Sequence, residues 1–456
     1  MKLSNKTKIV LAILLSFVIC NSSFVIPSKA APSLPSQIAV GILYNSNASK
    51  LITINSGYIT DASGNVLGSP ITTATTISIE PDAVGGGIAA KINGQTVAVA
   101  LNALLIYPDN NIFSLGTSKY PGYVKAVQAA GYINIVDVVG MDDYVTNVIP
   151  SEIGASSPIE ALKAQAVCAR NYAAFNMGKH SAQGFDVCNT TDCQVYAPIS
   201  ANPNPNVAAA VAATSGVMMT YNGAIIDAVF AASTADGSGS GWTEDAKNVW
   251  GSDVPYLKAV SSTEKKNSGW TYTLTQADAN SKLSSYNLGT IQDIKITSAS
   301  AHGAATAVQV IGSNSTKTFT LQSCRTFLSG GVLRSQAYTI TKNVGSSVGD
   351  AVSGVVVQSS SGKSTLSGTV SVLTSSGTLS ALNLIGAIAQ DKNGKSTLVA
   401  TGGSSSNTSV SWTFTGRGWG HLVGMSQEGA ITMANNGSTY QQILTHYYTG
   451  IKITNN

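Results

Sequence analysis

The sequence predicts an α+β protein: mainly antiparallel β-strands with a few packed helices and a substrate groove. Three observations carry that expectation. Residues 37–139 are short β-branched or alternating runs separated by turns. Residues 158–177 read as one helix, and a glycine-rich C-terminal segment leads into two short ones.

The chain opens on a leader rather than on a folding element. Lys2, Lys6 and Lys8 form a positive start, residues 9–19 are apolar, and Pro27-Ser-Lys-Ala30 places small residues at −3 and −1 of a cut after Ala30. That pattern predicts a secretory signal peptide over 1–30, too short and wrongly flanked for a typical membrane span, although left uncleaved it would anchor the protein. Ile19 is too bulky to precede a lipidated Cys20. The formal charge of +4 resides in this leader, whose four lysines leave 26 − 4 = 22 basic against 22 acidic residues. A near-neutral remainder argues against a nucleic-acid or anionic-membrane footprint.

Within 37–140, Ile38-Ala-Val-Gly-Ile-Leu43, Thr76-Ile-Ser-Ile79 and Val97-Ala-Val-Ala-Leu101 predict strands, with turns at Asp61-Ala-Ser-Gly64 and Ile92-Asn-Gly-Gln95. Tyr132-Ile-Asn-Ile-Val-Asp-Val-Val139 alternates as a half-buried strand would. In the central part, 141–344, Ser157 with Glu160 predicts a capping box and Pro158 suits the first helical position. Leu162, Ala166, Ala169 and Ala173 give that helix a small-residue stripe for close packing. Residues 345–410 are Ser/Gly/Thr-rich with short apolar runs, consistent with a small β insertion or a spacer. In 411–456, Ser438 and Gln441 predict a second capping box, with Gly450 as the stop of the last helix.

Removing the leader leaves Cys168, Cys188, Cys193 and Cys324. An even count in an exported chain permits disulfides without fixing their pairing. Cys168, on the helix, reads as a small core residue.

Three stretches together resemble the SpoIID/LytB family of sporulation stage II protein D and amidase-enhancer proteins. The first is Val148-Ile-Pro-Ser-Glu152 with Glu160-Ala-Leu-Lys-Ala-Gln-Ala-Val-Cys-Ala-Arg-Asn-Tyr172. The second runs from Ala231-Ala-Ser233 through Val249-Trp250 to Pro255-Tyr-Leu257. The third is Gly416-Arg-Gly-Trp-Gly-His421 with Val423-Gly-Met-Ser-Gln427 and His446-Tyr-Tyr448. Leu422 and Glu428 depart from the family, which commonly has Gly and an aromatic residue there.

The resemblance implies a lytic transglycosylase in the cell wall that cleaves glycan strands between N-acetylmuramic acid and N-acetylglucosamine, leaving a 1,6-anhydromuramoyl end. It also implies an alternative, a non-catalytic glycan binder that enhances an N-acetylmuramoyl-L-alanine amidase. No cofactor is required. Glu152 matches the catalytic glutamate; one carboxyl suffices, provided burial or a neighbouring carboxylate keeps it protonated near neutrality. The plainer reading of Glu152 is a polar residue ahead of a helix, favoured there by the dipole.

Lys163 and Arg170, seven apart on one helix face, match polar positions that would orient the sugar, the plainer reading being a solvated face with ion pairs. Ser233, Glu244 and Trp250 flank a glycine-rich turn; Ser and Glu can bond hydroxyls, Trp250 suits core packing or stacking, and Glu244 is a candidate second carboxylate. Glycines around His421 allow its loop to approach substrate closely, or to form a structural turn. Tyr447 and Tyr448 match paired tyrosines, one expected to face the groove and the other the core. His180, Cys188 and Cys193 match part of a structural zinc site in some relatives, where the residue before the second Cys is His; here it is Asp192. A Cys188–Cys193 disulfide or free thiols are the alternatives.

Overall fold

The computed structural model describes residues 33–456 except 47, 49, 130, 236–237, 330, several short stretches within 346–408, and 456. The predicted leader over 1–30 lies outside the described residues.

Two sheets, antiparallel except where Val187–Cys188 joins Gln37–Leu43 in parallel, form the N-terminal part. The larger orders its strands Val187–Cys188, Gln37–Leu43, Tyr132–Gly140, Tyr123–Ala129, Ala103–Pro108, Gly57–Asp61 and Val66–Ile71. The smaller runs Ser118–Pro121, Ile112–Leu115, Leu51–Ile54, Thr75–Pro81, Ile88–Ile92 and Gln95–Ala100. Ile52, Ile77, Ile88, Leu104, Ile106 and Val124 belong to one core shared by both sheets. Antiparallel pairing fixes the register, with Ala39 opposite Val138 and Val138 opposite Tyr123.

Tyr132–Gly140 differs from its predicted half-buried character: every residue between its two ends is buried. It lies third in a seven-stranded sheet, and Phe185 and Cys188 cover Val136 and Val138 on the face that alternation would expose. Asn134 is therefore sealed inside, and Asp137 is buried on the opposite face with Ile135 and Val139. Asn134 accepts from Asn45 N–H and donates to the Gln183 carbonyl, while Asp137 accepts from Tyr196 Oη at 2.6 Å.

That strand feeds directly into a helix that periodicity did not reveal, α1, Met141–Glu152, with Pro150 in its last turn. The predicted helix follows as α2, Ile159–Phe175. Its capping box does not form. Pro158 is the N-cap without a side-chain bond, Ser157 turns its hydroxyl back to the Ile153 carbonyl at 2.7 Å, and Glu160 accepts from Lys163 and from Tyr440 N–H. Closing the tight α1–α2 loop takes the hydroxyl that the cap would need. The stripe is also too narrow a description: Leu162, Ala166, Ala169 and Ala173 pack into the core of the sheets, while Ala164, Val167 and Cys168 pack into a second core with Met425 and Tyr448. α2 is the shared wall between two cores.

The C-terminal segment completes the second core with α3, Gln427–Asn435, and α4, Tyr440–Tyr447. The capping box of α4 uses Thr439 and Gln442, one residue later than predicted. Ser438 N–H closes α3 by bonding Met433 O at 3.0 Å, which moves the cap on by one. Tyr448 then caps the C-terminus of α4, so Gly450, the predicted C′ stop at φ +68°, falls one position beyond C′. A third core gathers around the sheet of Trp270–Thr275, Ser409–Gly416 and Tyr338–Gly345. Described segments within 345–410 are antiparallel strands, Gly362–Leu366, Val355–Ser359, Gly394–Ala400 and Ile388–Asp391 pairing in that order.

Candidate functional site

Glu152 is the last residue of α1, not a residue ahead of a helix. The negative end of the α1 dipole therefore disfavours its carboxylate instead of stabilising it. Burial pushes the carboxyl above its usual range, opposed by hydrogen bonds from Val195 N–H and the Gln427 side chain. The Val195 bond measures 2.9 Å to Oε1. Gln427 in turn reaches Gln165 Oε1 at 3.4 Å. Between α1 and α2 and the loop after them, Gln165 Nε2, Arg170 Nη1 and Gln194 Oε1 are buried without a hydrogen-bond partner. A half-buried carboxyl that resists ionisation and can reach solvent is suited to proton donation.

The polar residues expected around it distribute differently. Lys163 pairs with Glu160 at 2.7 Å. Arg170 is not on a solvent face: it is 1% exposed and its guanidinium binds Asp142 at 2.8 Å, because this part of α2 is enclosed by α1 and both cores. Ser233 and Glu244 are buried. Glu244 is raised by burial, and its partners are Ser300 and Asn248 rather than Glu152.

His421 has both ring nitrogens engaged by the main chain: Val423 N–H donates to Nδ1 at 3.1 Å, and the ring also bonds the Phe230 backbone. Burial, with Arg325 nearby, pushes its pKa down to about 4, so it is a neutral brace for the loop. Trp250 packs beside it, ring centroids 5.1 Å apart. Neither tyrosine faces a groove. Tyr447 bonds Ser262 Oγ at 2.9 Å, and Tyr448 donates to Val229 O at 2.8 Å; both are fully buried.

Sequence reading missed Glu264, 1% exposed. Its two oxygens accept from the hydroxyls of Ser233, Thr234, Ser262 and Ser426 and from the N–H groups of Thr234 and Ala235. Ser426 is the N-cap of α3, so this carboxylate fixes the segment that presents Gln427 to Glu152. Its only signal was a charged residue in an otherwise weakly patterned stretch. At Leu422, where relatives commonly carry Gly, the backbone keeps the left-handed φ of +67° and the side chain is fully buried. Its carbonyl accepts Glu244 N–H at 2.7 Å, which helps hold that conformation. Glu428, the other departure, pairs with Lys266 at 2.8 Å.

His180, Cys188, Asp192 and Cys193 converge, one ligand atom from each lying within 4.8 Å of the others. Cys193 Sγ is 3.4 Å and Asp192 Oδ2 3.2 Å from His180 Nε2, and His180 Nδ1 faces Gln183 Oε1 at 3.2 Å. The cysteines are free thiols, not a disulfide. One nitrogen, two sulfurs and one carboxylate oxygen, with an orienting partner on the second ring nitrogen, form a donor set that fits a tetrahedral metal ion. Asp192 occupies the fourth place.

Residues 129–221 match the Stage II sporulation protein family. The chain is 32% identical over 376 residues to the amidase enhancer of Bacillus subtilis strain 168, covering 80% of this chain and 48% of that protein. It is 27% identical over 384 residues to an uncharacterized protein of Brachyspira hyodysenteriae, covering 80% and 84%. Similarity to stage II sporulation protein D of Bacillus subtilis is 29% over 337 residues, covering 70% and 76%. The chain thus spans about half the length of the amidase enhancer. Among the described residues no helix is long and apolar enough to cross a membrane.

Proposed function

The chain belongs to the SpoIID/LytB family of cell-wall and sporulation proteins, and from that premise we propose that it is an exported peptidoglycan lytic transglycosylase with Glu152 as its acid. The observation that carries the reading is the half-buried Glu152 carboxyl at the C-terminal end of α1, raised by burial and aimed by Val195 N–H.

In the proposed reaction Glu152 gives its proton to the oxygen linking N-acetylmuramic acid to N-acetylglucosamine. The bond from the muramoyl C1 to that oxygen breaks, and the sugar's own C6 hydroxyl forms the new bond to C1. The hydroxyl proton returns to Glu152, which ends as it began, and no water is consumed. One carboxyl thus serves as acid and then base. Gln165, reached by the Gln427 side chain, supplies a polar neighbour beside it.

His180, Cys188, Asp192 and Cys193 would hold a structural zinc ion. The ion would tie down the loop that continues through Gln194 to Val195, and so the donor on Glu152. It takes no part in the bond changes.

Purified protein incubated with amidase-stripped glycan should release anhydromuramoyl products visible by mass spectrometry, and Glu152→Gln protein should release none. A second reading, stimulation of an N-acetylmuramoyl-L-alanine amidase, is favoured by the 32% identity to an amidase enhancer. It gains if neither form yields such products while a partner amidase is accelerated by both.

A further inference from the structure

Two exposed tryptophans away from Glu152 are braced as though to receive a flat ligand. Trp242 is 41% exposed and Trp419 is 54% exposed. Trp242 lies nearly parallel to His302, with centroids 4.1 Å and planes 8° apart. Arg417 secures the main chain of both members of that stack, donating to Trp242 O at 3.2 Å and His302 O at 2.5 Å, and to Thr234 O at 2.5 Å. The turn carrying His302 is held from beneath: the Ser300 hydroxyl donates to buried Glu244 at 2.9 Å and accepts the N–H of His302 and of Ala304. Two residues beyond Arg417, Trp419 exchanges both backbone hydrogen bonds with Ser233, and the Arg334 guanidinium sits 5.0 Å from its ring centroid.

Each indole thus has a planar polar group against its ring and substantial area left to water. Exposed apolar area gains nothing for folding. Rigidity with exposure instead lowers the entropy lost when a ligand docks. The surroundings select the ligand's chemistry. Trp242 stands opposite Ser261 in a two-stranded ribbon whose exposed side chains include Ser240, Ser261 and Thr263. No aliphatic side chain occurs in either strand of that ribbon, Ser240–Trp242 or Ser261–Thr263, so it lacks the apolar centre of a protein interface. A pyranose ring offers what fits here: an apolar C–H face for the indole and a hydroxyl rim for the serines and threonine. Arg334 adds a cation suited to the lactyl carboxylate of muramic acid.

We propose that Trp242 and Trp419 form an accessory glycan-binding platform, separate from Glu152, that stacks on sugar rings of a peptidoglycan strand. The proposal rests on the peptidoglycan reading above and extends it. Ser233 connects the two places: it pairs with Trp419, and its hydroxyl shares Glu264 with Ser426, the neighbour of Gln427. A long strand can engage both, so the platform governs how firmly long glycan is held.

Binding of long, amidase-stripped glycan strands by Glu152→Gln protein, which leaves the strands uncut, tests this directly. Adding Trp242→Ala or Trp419→Ala should weaken binding about tenfold, the scale of losing one stacked aromatic anchor. Trp242→Phe and Trp419→Phe, which keep a ring, should retain most of the affinity, and they decide the matter if an alanine variant melts at a lower temperature. Unchanged binding in well-folded alanine variants overturns the platform and leaves the peptidoglycan reading standing. Absence of binding by the parent protein overturns both. Unchanged glycan binding with lost stimulation of an amidase assigns the surface to a protein partner and also overturns the proposal.

Discussion

Val195 N–H donates to Glu152 Oε1 at 2.9 Å, across 43 residues of sequence, and this bond joins the candidate acid to the loop containing Cys188, Asp192 and Cys193. The acid sits on a helix end, but its aim depends on a strap two residues past a cluster of metal-type ligands. Anything that loosens the strap should reach Glu152.

Removing metal, or substituting Cys193→Ser, should therefore impair more than stability. Weakened coordination typically costs tenfold or more in affinity or activity. We expect product release from stripped glycan to fall by about that factor, with a lower melting temperature. Elemental analysis of protein purified without added zinc checks the premise: about one zinc per chain is expected. A mapped Cys188–Cys193 disulfide with little zinc would remove it.

The pH dependence of cleavage should follow Glu152. Its carboxyl is raised by burial, and the acid must be protonated to act, so activity is present below the folded pKa and lost as pH rises through it. Gln427 bonds the ionised form and lowers this pKa. Gln427→Met should then move the alkaline limb of the rate profile to higher pH. A shift to lower pH would contradict the placement of Gln427.

Asp137 gives a pH signature in stability instead. Burial lifts its carboxyl to about 8, with Tyr196 Oη opposing and Asp143 reinforcing the shift. The unfolded pKa is about 3.9. The folded state therefore binds the proton more tightly, and this contribution is full below about 4 and lost progressively up to about 8. Asp137→Asn should flatten the decline of melting temperature over that window.

Glu264 and Arg170 should read out in folding. Glu264→Ala strands the hydroxyls of Ser233, Thr234, Ser262 and Ser426, and Arg170→Ala leaves Asp142 without its buried guanidinium. Leaving buried hydroxyls unsatisfied costs about 1–3 kcal/mol, and Arg170→Ala loses the packing of a buried side chain while Asp142, 44% exposed, stays solvated. Denaturant unfolding should show that loss for each, and Arg170→Ala should leave KM for stripped glycan near that of the parent. A raised KM with unchanged stability would return Arg170 to the substrate.

The α+β class, the strands of 37–140 and α2 were legible because alternation and the Ala-rich helical run are local signals. α1 was not: Asp142, Asp143 and Pro150 obscure a helix whose apolar side is fixed by packing on α2. Caps moved by a residue because Ser157 and Ser438 were claimed by neighbouring turns. At the site, residue type singled out Glu152, but burial is a property of the assembled fold. Hence Arg170, Glu244, Tyr447 and Tyr448 looked like ligand contacts and lie inside. Glu264 escaped notice because its partners come from three separated segments.

The most direct test of the central claim is digestion of stripped glycan in heavy-oxygen water by wild-type and Glu152→Gln protein, with products weighed by mass spectrometry. Intramolecular attack by the C6 hydroxyl predicts anhydromuramoyl ends that carry no solvent oxygen, formed by the wild type and absent with the variant. Reducing ends labelled from solvent, or undiminished products from Glu152→Gln, would contradict it.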